Sequence, residues 1–181
     1  MITPPTPKIS ELLGNTNLFL TTLLDALKKD QINVNPYELD HICYRVSTKE
    51  RYEQYKLHIQ KHGVLLSETS IGGRPISTYK LHSPIIFIPK QESTYSRREI
   101  YLLELPSPKQ NSPYPDGLEH AEFVIPHLFE EFITMHPHIE FDTKDITKPI
   151  NPDIRIKYST FSVKFHHQSL EYVIKEEQTS N

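Results

Sequence analysis

From residue 39 onward, apolar and polar positions alternate in short runs that mark β-strands. In Leu39-Asp40-His41-Ile42-Cys43-Tyr44-Arg45-Val46, one face takes Ile42, Tyr44 and Val46, and the other takes His41, Cys43 and Arg45. Before this run the period is helical. Between residues 15 and 30, Leu20, Leu23, Leu24 and Leu27 share one face, and Lys28 and Lys29 suit the C-terminal end of the helix dipole. Residues 1–8 are rich in Pro and Thr and read as an extended arm.

Further along, residues 49–62 read as a helix ended by Gly63. Residues 64–68 read as a short strand, 71–74 as a turn, and 75–81 as a strand. Residues 84–90 and 98–105 suit the two arms of a long hairpin. The glycines of the 71–74 turn form neither GxGxxG nor a phosphate loop, which argues against nucleotide binding. A Pro-rich connector follows, and the order repeats: strand 118–125, helix 127–136, short strand 139–141, polar loop 142–152, long strand 154–165, turn 166–169 and final strand 170–175.

The pattern predicts an α+β fold with two βαβββ modules forming a curved, cleft-enclosing mixed sheet and an extra N-terminal helix. The expected divisions are 1–36 for the arm and helix, 37–105 for the first module and 106–117 for the connector. Residues 118–175 form the second module and 176–181 a polar tail.

The modules repeat chemistry as well as form. Each opens with Leu, an acid and His: Leu39-Asp40-His41 and Leu118-Glu119-His120. Each is expected to close on a strand with one glutamate among apolar residues, Glu104 in the first and Glu171 in the second. A charge inside an apolar strand is costly to bury unless it is paired or bound to metal. One strand histidine alone is more often a packed or rim residue, and one glutamate alone more often a solvated one. The repetition favours a shared site in which His41, Glu104, His120 and Glu171 hold one divalent ion, of Zn, Ni, Co, Mn or Fe(II) type.

Weaker candidates surround these four. Glu122 shares a face with His120; it reads as a partner of the ligands, as a general base, or as a salt-bridge partner of Arg45. Arg74, Lys80 and His82 have even spacing and read either as a binding face for an anionic substrate or as a solvated face. His166 and His167 read as substrate or metal contacts, or as exposed turn residues. Cys43 reads as a small packed residue rather than a nucleophile.

Composition narrows the classes. With 20 Lys and Arg against 23 Asp and Glu, the chain has a formal net charge of -3 and no basic block, so nucleic acid is not an expected partner. A single cysteine allows no intramolecular disulfide and no Cys-rich zinc site. No signal-peptide pattern and no membrane-spanning apolar run is present. These features predict a soluble cytoplasmic protein with a small-molecule substrate. Two modules in one chain make a monomer sufficient, and a homodimer is compatible.

The βαβββ duplication with one His and one Glu per module resembles the vicinal oxygen chelate superfamily, which includes glyoxalase I, extradiol dioxygenases, methylmalonyl-CoA epimerase and bleomycin-resistance proteins. Within it, nearly the whole chain is similar to the YecM family of bacterial proteins. The stretches that carry the similarity are Asp40-His41-Ile42, Ser67-Glu68 with Gly73-Arg74-Pro75-Ile76, Lys80-Leu81-His82, Glu104-Leu105-Pro106, Glu119-His120, and Lys164-Phe165-His166 with Glu171. The resemblance implies a cytoplasmic protein that binds metal, with His41, Glu104, His120 and Glu171 at the glyoxalase I ligand positions. It further implies a non-redox isomerase, lyase or epimerase in which Glu171, Glu104 or Glu122 moves a proton while Arg74, Lys80, His82 and His166 hold substrate. The alternatives are a non-catalytic binding protein of the bleomycin-resistance type and an Fe(II) dioxygenase; the latter uses two His and one Glu, so a fourth donor counts against it.

Overall fold

The computed structural model describes residues 8–111 and 113–179. The expected arm falls almost wholly on residues outside this range. The chain begins with a short helix, α1 (Ile9–Leu13), which the sequence pattern did not predict, and then α2 (Thr16–Lys29). Asn15 caps α2 by accepting the Leu18 N–H at 2.9 Å. All four leucines of the expected stripe are buried.

The first module runs β1 (Glu38–Arg45), α3 (Lys49–Ile59), β2 (Gly63–Ile71), β3 (Arg74–Phe87) and β4 (Arg98–Pro106). Thr48 caps α3, which buries Tyr52, Tyr55 and Ile59. Gly72 and Gly73 have φ of 60° and 77° and form the tight turn between β2 and β3. Gly63 serves a different need, because a Cβ there would lie 2.5 Å from the Lys80 carbonyl oxygen. The strands expected at 75–81 and 84–90 are one strand with an irregularity between Lys80 and Ile85.

The second module is shorter: β5 (Gly117–Val124), α4 (Phe129–Met135), β6 (Ile154–Lys157), β7 (Ser162–His166) and α5 (Leu170–Thr179). Three expectations are corrected here. Residues 139–141 form no strand, and only an isolated bridge joins Asp142 to Arg155. The long strand at 154–165 folds back on itself as β6 and β7. The final strand expected at 170–175 is helix α5, which also takes in most of the expected polar tail. Leu170, Val173 and Ile174 follow a helical period, Ser169 Oγ accepts the Tyr172 N–H at 3.3 Å, and Tyr172 is 47% exposed. Glu171 and Lys175 add an i,i+4 ion pair.

The seven strands form one open mixed sheet in the order β2-β3-β4-β1-β5-β7-β6. β1 and β5 meet antiparallel at the centre, β4 lies parallel to β1, and β7 lies parallel to β5. The two halves are thus related about the β1/β5 seam. One face carries Ile42, Tyr44, Leu103, Leu105, Phe123, Val163 and Phe165 into the core. Burial of each such aliphatic or aromatic side chain stabilises the fold by about 1.5–3 kcal/mol. The other face carries the polar residues.

Candidate metal centre

Strand pairing sets the polar residues in two rows across the sheet. One row runs His41, Glu122, Lys164, Arg155 over β1, β5, β7 and β6. The next runs Glu104, Cys43, His120, Ser162 over β4, β1, β5 and β7. Both rows lie on the face opposite the core, so alternation brings His41, Glu104, His120 and Glu122 together.

Two β-bulges complete the arrangement. Register slips between Leu39 and His41 leave Asp40 as the extra residue of β1, and a slip beside Cys43 leaves Glu119 as the extra residue of β5. Strict alternation would turn each acid away from the histidine that follows it; a bulge re-aims it. Asp40 Oδ2 lies 2.7 Å from His41 Nδ1, and Glu119 Oε2 contacts His120 Nδ1. Each acid therefore orients its ring and leaves Nε2 facing inward, the arrangement common beside metal-ligating histidines.

At the centre, Glu122 Oε1 lies 3.3 Å from His41 Nε2 and 3.0 Å from His120 Nε2. Glu104 Oε2 lies 3.4 Å from His120 Nε2. Yet both Nε2 atoms are buried without a hydrogen-bond partner among the described residues. One donor atom from each of His41, Glu104, His120 and Glu122 falls within 4.8 Å of the others. Two orphaned imidazole nitrogens facing two carboxylates fit a single divalent ion.

The charges are strongly coupled. Burial disfavours a charged His41, but Glu122 and Asp40 outweigh it and raise its pKa to about 9. Burial likewise opposes ionisation of Glu104, while His120, Lys164 and His41 hold it down at about 2. Lys164 Nζ donates to Glu122 Oε1 at 2.5 Å and stays protonated despite burial because Glu122 and Glu104 face it. Burial pushes the Cys43 thiol up to about 11, consistent with a packed thiol.

Glu171 lies elsewhere. Being on α5, it accepts from Lys80 Nζ at 2.8 Å and pairs with Lys175 Nζ at 2.7 Å. The fourth donor of the cluster is Glu122, and the partner of Arg45 is Glu119, at 3.2 Å. Arg74 lines the cleft, where it donates to the Ser107 carbonyl at 2.7 Å and to the Tyr114 hydroxyl at 3.3 Å. Lys80 lines a separate groove with Glu38, Tyr101 and Glu171, and His82 is exposed. Six residues of strand separate Arg74 from Lys80 by about 20 Å, so equal parity does not make one binding face. His166 ends β7 and is fully buried, with its ring centroid 5.9 Å from that of His41 and Nε2 3.7 Å from Asp40. His167 instead stacks on Phe129 at 4.0 Å.

Sequence reasoning missed the orienting roles of Asp40 and Glu119, although the acid preceding each histidine was part of the repeat. It also missed Lys164, whose signal was the alternation of Ser162, Lys164 and His166 with Val163 and Phe165.

The cluster forms the floor of a divided cleft. One part, of about 410 Å³, is lined by His41, Glu104 and Glu122 and flanked by Leu170, Val173 and Ile174 of α5. The other, of about 900 Å³, is lined by Cys43, Glu104, His120 and Arg74. Lys164 borders both.

Comparison with known proteins agrees with this fold. Protein YecM of Escherichia coli (strain K12) is 26% identical over 189 residues, covering 96% of each chain. A solved structural-genomics structure, Protein EC4020, superposes with a TM-score of 0.75 at 26% identity, covering 98% of this chain and 99% of that one. A hypothetical protein, BH1468 from Bacillus halodurans C-125, is a more distant neighbour, with a TM-score of 0.50 and 13% identity over 73% of this chain and 94% of that one. The family model described as YecM protein matches residues 8–177, and the chain belongs to the YecM family.

Proposed function

We propose that this protein is a metal-dependent enzyme acting without redox change, as an isomerase, lyase or epimerase, on a small oxygen-rich substrate. Its ligands are His41, Glu104, His120 and Glu122. The observation that carries this reading is the pair of buried, unpartnered Nε2 atoms facing two carboxylates. A divalent ion bound there supplies Lewis acidity toward substrate oxygens. The chain supplies the rest: Asp40 and Glu119 fix the rings, and the apolar side of α5 shields the cleft from water. Lys164, held protonated by Glu122 and Glu104 and lining both parts of the cleft, would give a proton at the substrate.

A second reading, a binding protein without turnover, is favoured by one feature. The Lys164 ammonium already balances charge on Glu122 and Glu104. An iron-dependent oxygenase is less well supported, because the donor set has two carboxylates.

Proton exchange separates turnover from binding. Protein loaded with zinc or manganese is incubated in D2O with small α-hydroxycarbonyl and 2-oxoacid compounds, and C–H to C–D exchange is followed by NMR. Exchange that disappears in Lys164→Met and Glu122→Gln supports the enzyme. Metal uptake with no exchange on any probe favours the binding protein.

A further inference from the structure

The larger arm of the cleft has a one-sided charge. Eight of the chain's 20 Lys and Arg side chains line it, against two carboxylates, Glu104 and Asp145. The chain as a whole is acidic, with a formal net charge of -3, so the imbalance is local. Arg74, Lys109 and Arg155 have no carboxylate within ion-pair distance among the described residues. The Arg155 Nε is buried without a hydrogen-bond partner. Arg155 also stands beside Lys164 in the register of β6 and β7, so this basic surface begins at the edge of the four-donor cluster.

Of these, Arg74 and Arg45 are held in place rather than trailing into solvent. The Arg74 guanidinium is tied to the Ser107 carbonyl and the Tyr114 hydroxyl. Arg45 lies over the Tyr114 ring at 4.9 Å from its centroid. Burial lowers the Lys109 pKa, and Arg74, Arg45, Lys144 and Arg155 lower it further. Cations gathered this closely repel one another, and a bound anion relieves that repulsion.

We infer that this basic arm binds the phosphate-bearing end of the substrate, with Arg74, Lys109 and Arg155 as its contacts, while the reacting end lies at His41, Glu104, His120 and Glu122. A single carboxylate would need only one of these cations. Two guanidinium forks and an ammonium suit the several oxygens of a phosphate or diphosphate. At about 900 Å³, the arm is large enough for a substrate with a substantial non-reacting part. The inference rests on the metal-centre reading only for where the reacting end lies.

The test uses the full chain, freed of metal by chelation, with inorganic pyrophosphate as the probe and acetate as the comparison, by calorimetry. Pyrophosphate is expected to bind at least about tenfold more tightly than acetate, a ratio set by charge-assisted hydrogen bonds. The Arg74→Ala/Lys109→Ala variant and the single Arg155→Gln variant should each lose about tenfold or more, with melting curves checking that both fold. The His41→Ala/His120→Ala variant should keep pyrophosphate binding, so failure of the metal reading and failure of this one are distinguishable. No preference for pyrophosphate, or equal binding by Arg155→Gln, overturns the inference.

Discussion

Glu104 and Lys164 occupy equivalent places in the two halves of the sheet. Glu104 lies across from Cys43, two residues after His41, on a strand parallel to β1. Lys164 lies across from Glu122, two residues after His120, on a strand parallel to β5. The halves therefore match in their histidines and in the orienting acids before them, but at this position one has a carboxylate and the other an ammonium. The missing carboxylate is replaced by Glu122, on the position that Cys43 holds in the first half.

This asymmetry predicts that Lys164 competes with the ion for Glu122. Lys164→Glu should restore a carboxylate at the symmetric position and raise zinc affinity by about tenfold or more, measured by competition with a chelating dye. Lys164→Met should raise it by less, through release of Glu122. Weaker binding in both variants would mean that the ammonium supports the site.

The orienting acids give a second prediction. Asp40→Asn and Glu119→Gln should each lower metal affinity by about 10–100-fold, because each ring loses the partner that fixes its tautomer. Asp40 Oδ2 also accepts the Leu170 N–H at 3.0 Å, at the start of α5. Asp40→Ala should therefore also loosen that helix, read as faster hydrogen exchange in residues 170–174, whereas Glu119→Gln should not. Unchanged affinity in both conservative variants would remove the orienting role.

Glu171→Gln tests the correction to the ligand set. It should leave metal affinity within about twofold and cost less than about 1 kcal/mol of stability, since it loses only partly exposed ion pairs with Lys80 and Lys175. Glu122→Gln, by contrast, should lose most of the affinity. A reversed order would return Glu171 to the site.

Much of this was legible in the sequence because alternation fixes which side chains share a face. That His41, Glu104 and His120 come close together could be expected from parity and repetition alone. Glu171 could not, because Leu170, Tyr172 and Ile174 also satisfy a strand period, and the repeat favoured a strand at that place. Ser169 as a cap, with Val173 and Ile174 adjacent, was the competing helical signal, and tertiary packing of that apolar stripe decided the matter. The bulges at Asp40 and Glu119 were not legible, since a bulge depends on the pairing between strands and not on either strand alone. Lys164 was hidden for a related reason: the expected long strand at 154–165 concealed the turn that sets β7 parallel to β5.

Acidity gives a further prediction. In the metal-free protein, burial opposes protonation of His41, but Glu122 and Asp40 raise its pKa from 6.5 to about 9. A raised folded-state pKa means that the contribution of His41 to stability is fully present below pH 6.5 and is lost as pH rises to about 9. Chelator-treated protein should therefore lose melting temperature across this window. A metal ion requires the neutral ring, so affinity should climb over the same range and zinc uptake at pH 7 should release protons. Calorimetry in buffers of different ionisation enthalpy reads that release. No release would mean that His41 is not displaced from its proton by the ion.

The central claim is that four side chains from both halves of the sheet hold one ion. The most direct test is elemental analysis of protein purified without a histidine tag, beside the His41→Ala/His120→Ala variant. The account predicts about one equivalent of a divalent transition metal in the unaltered chain, as isolated or after reconstitution, and none in the variant. No metal in either, or equal metal in both, would contradict it.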